Sequence, residues 1–302
     1  PAALAQWQET ELQAITARRT RPAGVLGEAL ADAIYPATEL RTRSLSAEQV
    51  RAVSREAASA WLTRLVATAP IEVAVVGDLE RERALELVTR YVGALPARAR
   101  IGADTLRPLR AIARPPGPLV STRDVQTATR QAVVLDGFFG ADLANVRDTR
   151  LLALAARVLS TRMNRVVREE RQLVYSIFAS SRPAAEYPGY GLFAAQAPTD
   201  PGKTAALTAT LEEMFTAFAR SGPSEDEIRV ARGQIDNALA EALAGPDFWS
   251  DRLGSLDYRG TRLDDIIEAR QRYAAMTAAE VQEAFARYYA PGARVRVVVT
   301  PR

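Results

Sequence analysis

The sequence predicts an α+β protein, and three observations carry the prediction. Most of its length has apolar side chains spaced three to four residues apart, the mark of amphipathic helices. Short valine-rich runs of strand length interrupt those helices. The composition is globular: 302 residues, 48% hydrophobic and 25% charged, which excludes wholesale disorder and collagen-like fibres. The length suits two ordinary domains or one large one. No apolar run approaches the roughly 20 residues that a bilayer-spanning helix needs, so no membrane insertion is expected.

The first helix is expected from about Ala2 to Ala17, with Leu4, Trp7, Leu12 and Ile15 on its apolar side. Pro22 suits the first turn of a second helix carrying Val25, Leu26, Leu30 and Ile34 up to Pro36. Ser46 and Gln49 form a capping box ahead of Val50, Val53, Ala57, Trp61 and Leu65, which fall on one helical face. Ile71–Val76 reads as a strand ending at the turn Gly77-Asp78. A helix with Ala84, Val88, Tyr91, Val92 and Leu95 then stops at Pro96.

From Ala97 to Pro118 the periodicity fails and four prolines intervene (Pro108, Pro115, Pro116, Pro118), so this stretch reads as an extended linker. Beyond it, strands are expected near Leu119 and over Gln131–Phe139, followed by a helix with Leu151, Leu154, Ala155 and Val158. Leu173–Ala179 and Tyr190–Ala197 read as strands around a Pro/Gly turn. Leu207, Leu211, Met214, Phe215 and Phe218 mark an amphipathic helix, and Ser224 with Glu227 caps another that buries Ile228, Ile235 and Leu239. A helix over Ala278–Tyr289 and a strand over Arg294–Thr300 close the chain.

Two passages echo each other. Ser46-Ala47-Glu48-Gln49-Val50 opens a helix leading to Ile71-Glu72-Val73-Ala74-Val75-Val76, and Thr277-Ala278-Ala279-Glu280-Val281 opens one leading to Val295-Arg296-Val297-Val298-Val299. If the two regions share a fold, the first lacks whatever should precede its helices. The sequence opens on Pro1 with no basic-then-apolar leader, as expected of a processed or excised product.

Charge and composition narrow the chemistry. There are 39 basic and 36 acidic residues, a net of +3, and neither histidine nor cysteine. Imidazole and thiolate metal sites, Ser-His and Cys-His dyads and disulfides are therefore excluded. Basic and acidic residues alternate, as in Glu80-Arg81-Glu82-Arg83, rather than forming the clustered footprint of a nucleic-acid binder, so no nucleic-acid partner is expected.

Four segments of the second region and one longer stretch of the first, in the family's order, resemble the motifs of the pitrilysin/insulinase family of zinc metallopeptidases, the inverse zincins. Arg168-Glu169-Glu170-Arg171-Gln172-Leu173-Val174-Tyr175-Ser176 resembles the family's R-E-x-x-x-L-x-Y-S signature, and the glycine-bearing stretch Tyr187–Gly191 follows it. Thr199–Lys203 resembles its Thr-x-Pro-x-Lys stretch, and Ser224–Leu243 its long helix. Leu45-Ser46, Val75-Val76-Gly77-Asp78 and Val88–Pro96 are similar to its L-T-x-E-D-L, V-V-G-D and Y-x-G-x-L-P segments.

The resemblance implies two-layer αβ domains, one partial and one complete: residues 1–96 as the C-terminal part of a first peptidase-like domain, 97–118 as linker and 119–302 as a second. Family members pair two such domains per half, and two halves close around an unfolded peptide. Their zinc is held by H-x-x-E-H and a downstream glutamate in the catalytic half. With no histidine here, either that motif lies in a part cut away, or this is the non-catalytic half. The second reading is favoured, because nothing like the family's His-Pro-Tyr stretch stands near Tyr35-Pro36. The expected role is an inactive, substrate-binding and chamber-closing half that binds no zinc itself. Its partners would be a zinc-holding catalytic half, in cis or in trans, and a peptide substrate. The alternative is a non-proteolytic scaffold or core subunit of the same fold. Either a bacterial periplasm or cytoplasm fits.

In the family, the arginine and tyrosine matching Arg168 and Tyr175 hydrogen-bond the substrate backbone and steady the tetrahedral intermediate. These two are the candidate site residues, with the alternative that Arg168 pairs with a neighbouring glutamate and Tyr175 fills a strand position. Glu169 and Glu170 read as solvated helix charges, and Lys203, the single lysine, lacks the serine a Ser-Lys pair would need. Phe248, Trp249 and Tyr258 read as packing residues, with a peptide-holding wall as the alternative.

Overall fold

The computed structural model describes residues 2–302. Helices α1 (Ala2–Thr20), α2 (Pro22–Ile34) and α3 (Ala47–Ala52) are followed by α4 (Arg55–Thr68), α5 (Arg81–Tyr91) and α6 (Ala103–Arg110). Strands β1 (Leu119–Val125) and β2 (Ala132–Gly140) lead to α7 (Val146–Met163), a π-helical turn (Asn164–Glu170), β3 (Phe178–Arg182) and β4 (Gly191–Thr199). Next come α8 (Thr204–Ser221), α9 (Glu225–Ala244), and the short helices α10 (Pro246–Leu253), α11 (Leu256–Arg259), α12 (Leu263–Ile267) and α13 (Ala269–Ala274). The chain closes with α14 (Ala278–Tyr288) and β5 (Arg294–Pro301), and the α+β class holds.

The chain forms two compact units, one of residues 2–51, 110–232 and 275–302, the other of 52–109 and 233–274. The first is built on a sheet of order β1-β5-β2-β4-β3. β1 runs parallel to β5, and every other pairing is antiparallel. Every residue of β2 is buried, as a central strand covered on both faces requires. On one face Val295, Val297 and Val299 join Val133, Leu135 and Phe139 against Leu26, Ala29 and Ile34 of α2. On the other, Phe138 stacks on its cross-strand neighbour Phe193 at 5.0 Å and meets Phe215 of α8 and Phe285 of α14 edge-on. Gly137 has to be glycine: a Cβ there would lie 2.1 Å from the Phe193 carbonyl oxygen.

The units do not follow the boundaries expected from the sequence, because α2 belongs with the sheet. Its stripe of Leu26, Ala29 and Ile34 and the valine face of β5 bury each other. Tyr35, just past α2, stacks on Tyr190 at 4.7 Å. Residues 2–51 therefore share a core with the sheet that follows residue 110.

The second unit holds α4–α6, α10–α13 and the later part of α9. Two expectations fail in it. Ile71–Val76 is not a strand, because among the described residues no backbone hydrogen bond holds it. The linker is not extended throughout, since α6 forms within it, with Pro108 inside the helix. Cross-links tie the unit: the Arg98 guanidinium donates to the Ala69 carbonyl at 2.9 Å, Arg100 pairs with Asp257, and Arg270 with Asp236 at 2.7 Å. Phe248 and Trp249 pack edge-on at 5.6 Å, whereas Tyr258 is exposed.

Candidate functional site

The segment carrying Arg168 and Tyr175 begins where α7 passes into the π-helical turn, a wider coil that recurs at functional sites. Val167, Val174 and Ile177 are buried and anchor the segment; the residues between them are exposed except the half-buried Leu173. The Arg171 amide reaches back to the Val166 carbonyl and the Leu173 amide to that of Val167, both at 2.9 Å. The chain then reverses at Gln172, whose φ of 49° is the left-handed conformation that side chains disfavour.

Neighbouring elements fasten this reversal. The Lys203 ammonium donates to the Gln172 carbonyl at 2.9 Å and the Thr199 hydroxyl to that of Leu173 at 2.7 Å. The Arg171 guanidinium reaches the Thr210 hydroxyl at 2.7 Å and the Glu213 carboxylate at 3.0 Å. Val174 makes an isolated bridge to Thr199, but β3 begins only at Phe178. Tyr175 thus stands on a bend rather than at the start of a strand, between the single bridge at Val174 and the first residue of β3.

The fold brings Arg168 and Tyr175 together: the guanidinium lies 5.7 Å from the ring centroid, within cation–π range. Tyr175 is 85% exposed, and Arg168 is also exposed. Among the described residues Arg168 makes no ion pair; the one in this turn joins Arg165 to Glu170 at 3.6 Å. The pair thus presents a phenol hydroxyl, which can donate or accept, and a guanidinium, which only donates, to whatever meets this face. Glu169 is exposed, and no group of three or more His, Cys, Asp or Glu among the described residues could hold a metal ion.

Two features went unseen in the sequence. Lys203 fastens the loop, and only its Thr-x-Pro-x-Lys context pointed to it. The other is a cavity of about 360 Å³ lined by Arg114, Phe139, Asp142, Asn145, Arg287 and Tyr288, among others. Beside it Asp148 is buried and accepts from Arg287 at 2.7 Å and from the Tyr288 hydroxyl at 2.8 Å. Burial, followed by that bond to Asp148, pushes the Tyr288 phenol up to about 12. Neither Arg168 nor Tyr175 lines this cavity.

The α+β fold and the Arg168–Ser176 segment are those expected of a pitrilysin-like peptidase domain. Residues 52–235 match the peptidase M16 inactive domain, and the chain belongs to that family, the non-catalytic half expected from its pitrilysin-like motifs. It is 24% identical over 262 residues to an uncharacterized zinc protease of Mycobacterium leprae, a match covering 84% of this chain and 57% of that protein. The chain thus spans little more than half the length of that relative. A peptidase M16 inactive domain from Pseudomonas fluorescens superposes with a TM-score of 0.83 at 17% identity, over all of this chain and 71% of that one. A chain of complex III from Candida albicans has the same fold, with a TM-score of 0.73 at 15% identity over 97% of this chain and 70% of its own.

Proposed function

We propose that this chain is the substrate-binding, chamber-closing half of a zinc metallopeptidase that cleaves peptides. Zinc belongs to a catalytic half supplied in cis or in trans, since this chain has no imidazole or thiolate to hold it. The observation that carries the reading is the Arg168–Tyr175 pair, exposed on a strained and well-fastened reversal. Strain of this kind is kept where the surrounding structure over-determines it, and it clusters at functional sites.

The chemistry is that of oriented donors. A peptide carbonyl oxygen gains negative charge during hydrolysis, and a phenol O–H and a guanidinium N–H aimed at it stabilise that charge. The effect grows when closure of two halves excludes water. Lys203 and Thr199 act through the backbone carbonyls they bind, holding the segment whose side chains meet the peptide.

The test uses the longer protein, or this chain with its catalytic half added, and a peptide that it cleaves. Tyr175→Phe is expected to slow turnover by about 10²–10³-fold with little change in stability, and Arg168→Ala to weaken peptide binding as well. Wild-type turnover in Tyr175→Phe, beside a dead catalytic-half variant, would sink the reading. A scaffold role is the second reading, favoured by the shared fold of the complex III chain and by the absence of Arg168 and Tyr175 from the polar cavity. It predicts a stable complex without peptidase activity.

A further inference from the structure

Distant stretches of the first unit converge on the cavity of about 360 Å³ beside Asp148. Arg114 comes from the stretch before β1, and Asp142 from the turn that leads β2 into α7. Gly189 comes from the turn between β3 and β4, and Arg287 with Tyr288 from the end of α14. The volume lies at the small end of the range for ligand sites, which suits a small molecule.

Several of its polar groups are already committed to Asp148. Arg287 and Tyr288 donate to that carboxylate at 2.7 Å and 2.8 Å, and the Asn145 side-chain amide does so at 2.8 Å. The charge of Arg287 is thereby offset. Arg114 and Asp142 differ: both line the cavity, and among the described residues neither makes an ion pair. Gly189 stands between them. Its amide donates to one Asp142 carboxylate oxygen at 2.8 Å, and its carbonyl accepts from the Arg114 guanidinium at 3.0 Å. Gly189 has a φ of 84°, in the left-handed region open chiefly to glycine. The Arg114 guanidinium also lies over the Phe139 ring, 4.2 Å from its centroid, within cation–π range. Two opposite charges are thus fixed one residue apart. The other oxygen of Asp142 and the remaining N–H groups of Arg114 are left to bind a ligand.

We propose that this cavity binds a free α-amino acid as its zwitterion, the ammonium on Asp142 and the carboxylate on Arg114. A molecule carrying both charges satisfies both walls, whereas a simple anion would face Asp142 and a simple cation would face Arg114. Because one glycine separates the two anchors, the ligand's own charges have to be close together, as they are about an α-carbon. Phe139, Ala290 and Ala293 line the cavity too and give an apolar side chain something to pack on, so leucine is the probe. Neither Arg168 nor Tyr175 lines the cavity. The proposal is therefore independent of the role in proteolysis and stands equally for a scaffold.

Titration of this chain with L-leucine, followed by calorimetry and by the NMR resonance of the Gly189 amide, tests it. Leucine should bind and shift that resonance. N-acetyl-leucine lacks the ammonium and leucinamide lacks the carboxylate, so each should bind at least about tenfold more weakly, the cost of losing one charge-assisted pair. Asp142→Asn keeps an acceptor for the Gly189 amide and should weaken leucine by a similar factor while leaving N-acetyl-leucine unaffected. Arg114→Gln should weaken leucine likewise while leaving leucinamide unaffected. Such crossed losses separate recognition from a general loss of structure. No shift of the Gly189 resonance at millimolar leucine would overturn the proposal, as would equal affinity for the three ligands. Leucine binding that survives both substitutions would overturn it too.

Discussion

Asp136 sits in the apolar run of β2 and is 1% exposed, where a lone charge is costly. Its compensation is cross-strand. The register sets Arg296 of β5 directly opposite, with its guanidinium 2.6 Å away, and Arg294 at 3.4 Å. Glu212 of α8 pairs with both arginines, at 2.8 Å and 3.4 Å, and the hydrogen bond to Arg294 holds its carboxyl down at about 2. Replacing one member of such a buried network leaves the others uncompensated. Asp136→Ala is expected to destabilise by about 3–5 kcal/mol, read as a lower urea midpoint. A loss under about 1 kcal/mol would mean that Glu212 alone neutralises both arginines.

At the scale of elements, capping and ion pairing converge on Glu227 in the first turn of α9. It forms the predicted box with Ser224, whose hydroxyl accepts from the Glu227 amide at 3.2 Å and whose amide donates to the carboxylate at 2.8 Å. The same carboxylate takes Arg162 of α7 at 2.6 Å, joining two helices, and that bond is the main reason it is lowered from 4.5 to about 2. A folded value below the unfolded one stabilises above the unfolded value and is lost as pH falls. Stability should thus decline from about pH 5 to about pH 2, as should the part that Glu212 contributes. Glu227→Gln should flatten that decline in urea midpoints taken across the acid range. An unchanged slope would place the acid sensitivity elsewhere.

Across the whole molecule, the two units are packed very differently. The first holds Phe138, Phe193, Phe215, Phe218 and Phe285, all essentially without exposure, around a complete sheet. Among its described residues the second buries only Ile235, Ile266 and Ala269 and leaves a row of valines and leucines in solvent. With the hydrophobic term roughly proportional to apolar area removed from water, the second unit should open first. Hydrogen exchange should reach α4, α5 and α10–α13 at lower denaturant than β2, β4 and β5. Simultaneous exchange of both units would refute this.

Much of this was legible in the sequence, because it is local. The capping boxes at Ser46, Ser224 and Thr277 depend on residues three apart, and the strands at Leu119, Ala132, Gly191 and Arg294 on alternation or continuous apolarity within one run. The R-E…Y-S segment, too, is one stretch of chain, so the sequence determined that Arg168 and Tyr175 lie within reach of each other. Tertiary structure decided what no local pattern encodes. It set α2 on the sheet, because two apolar surfaces distant in sequence bury each other there. It left Ile71–Val76 out of any sheet, because β propensity does nothing without a partner to bond. It made Lys203 the fastener of the Gln172 reversal and Asp136 the centre of a buried network, because both depend on strands and helices far apart in the chain meeting at hydrogen-bonding distance.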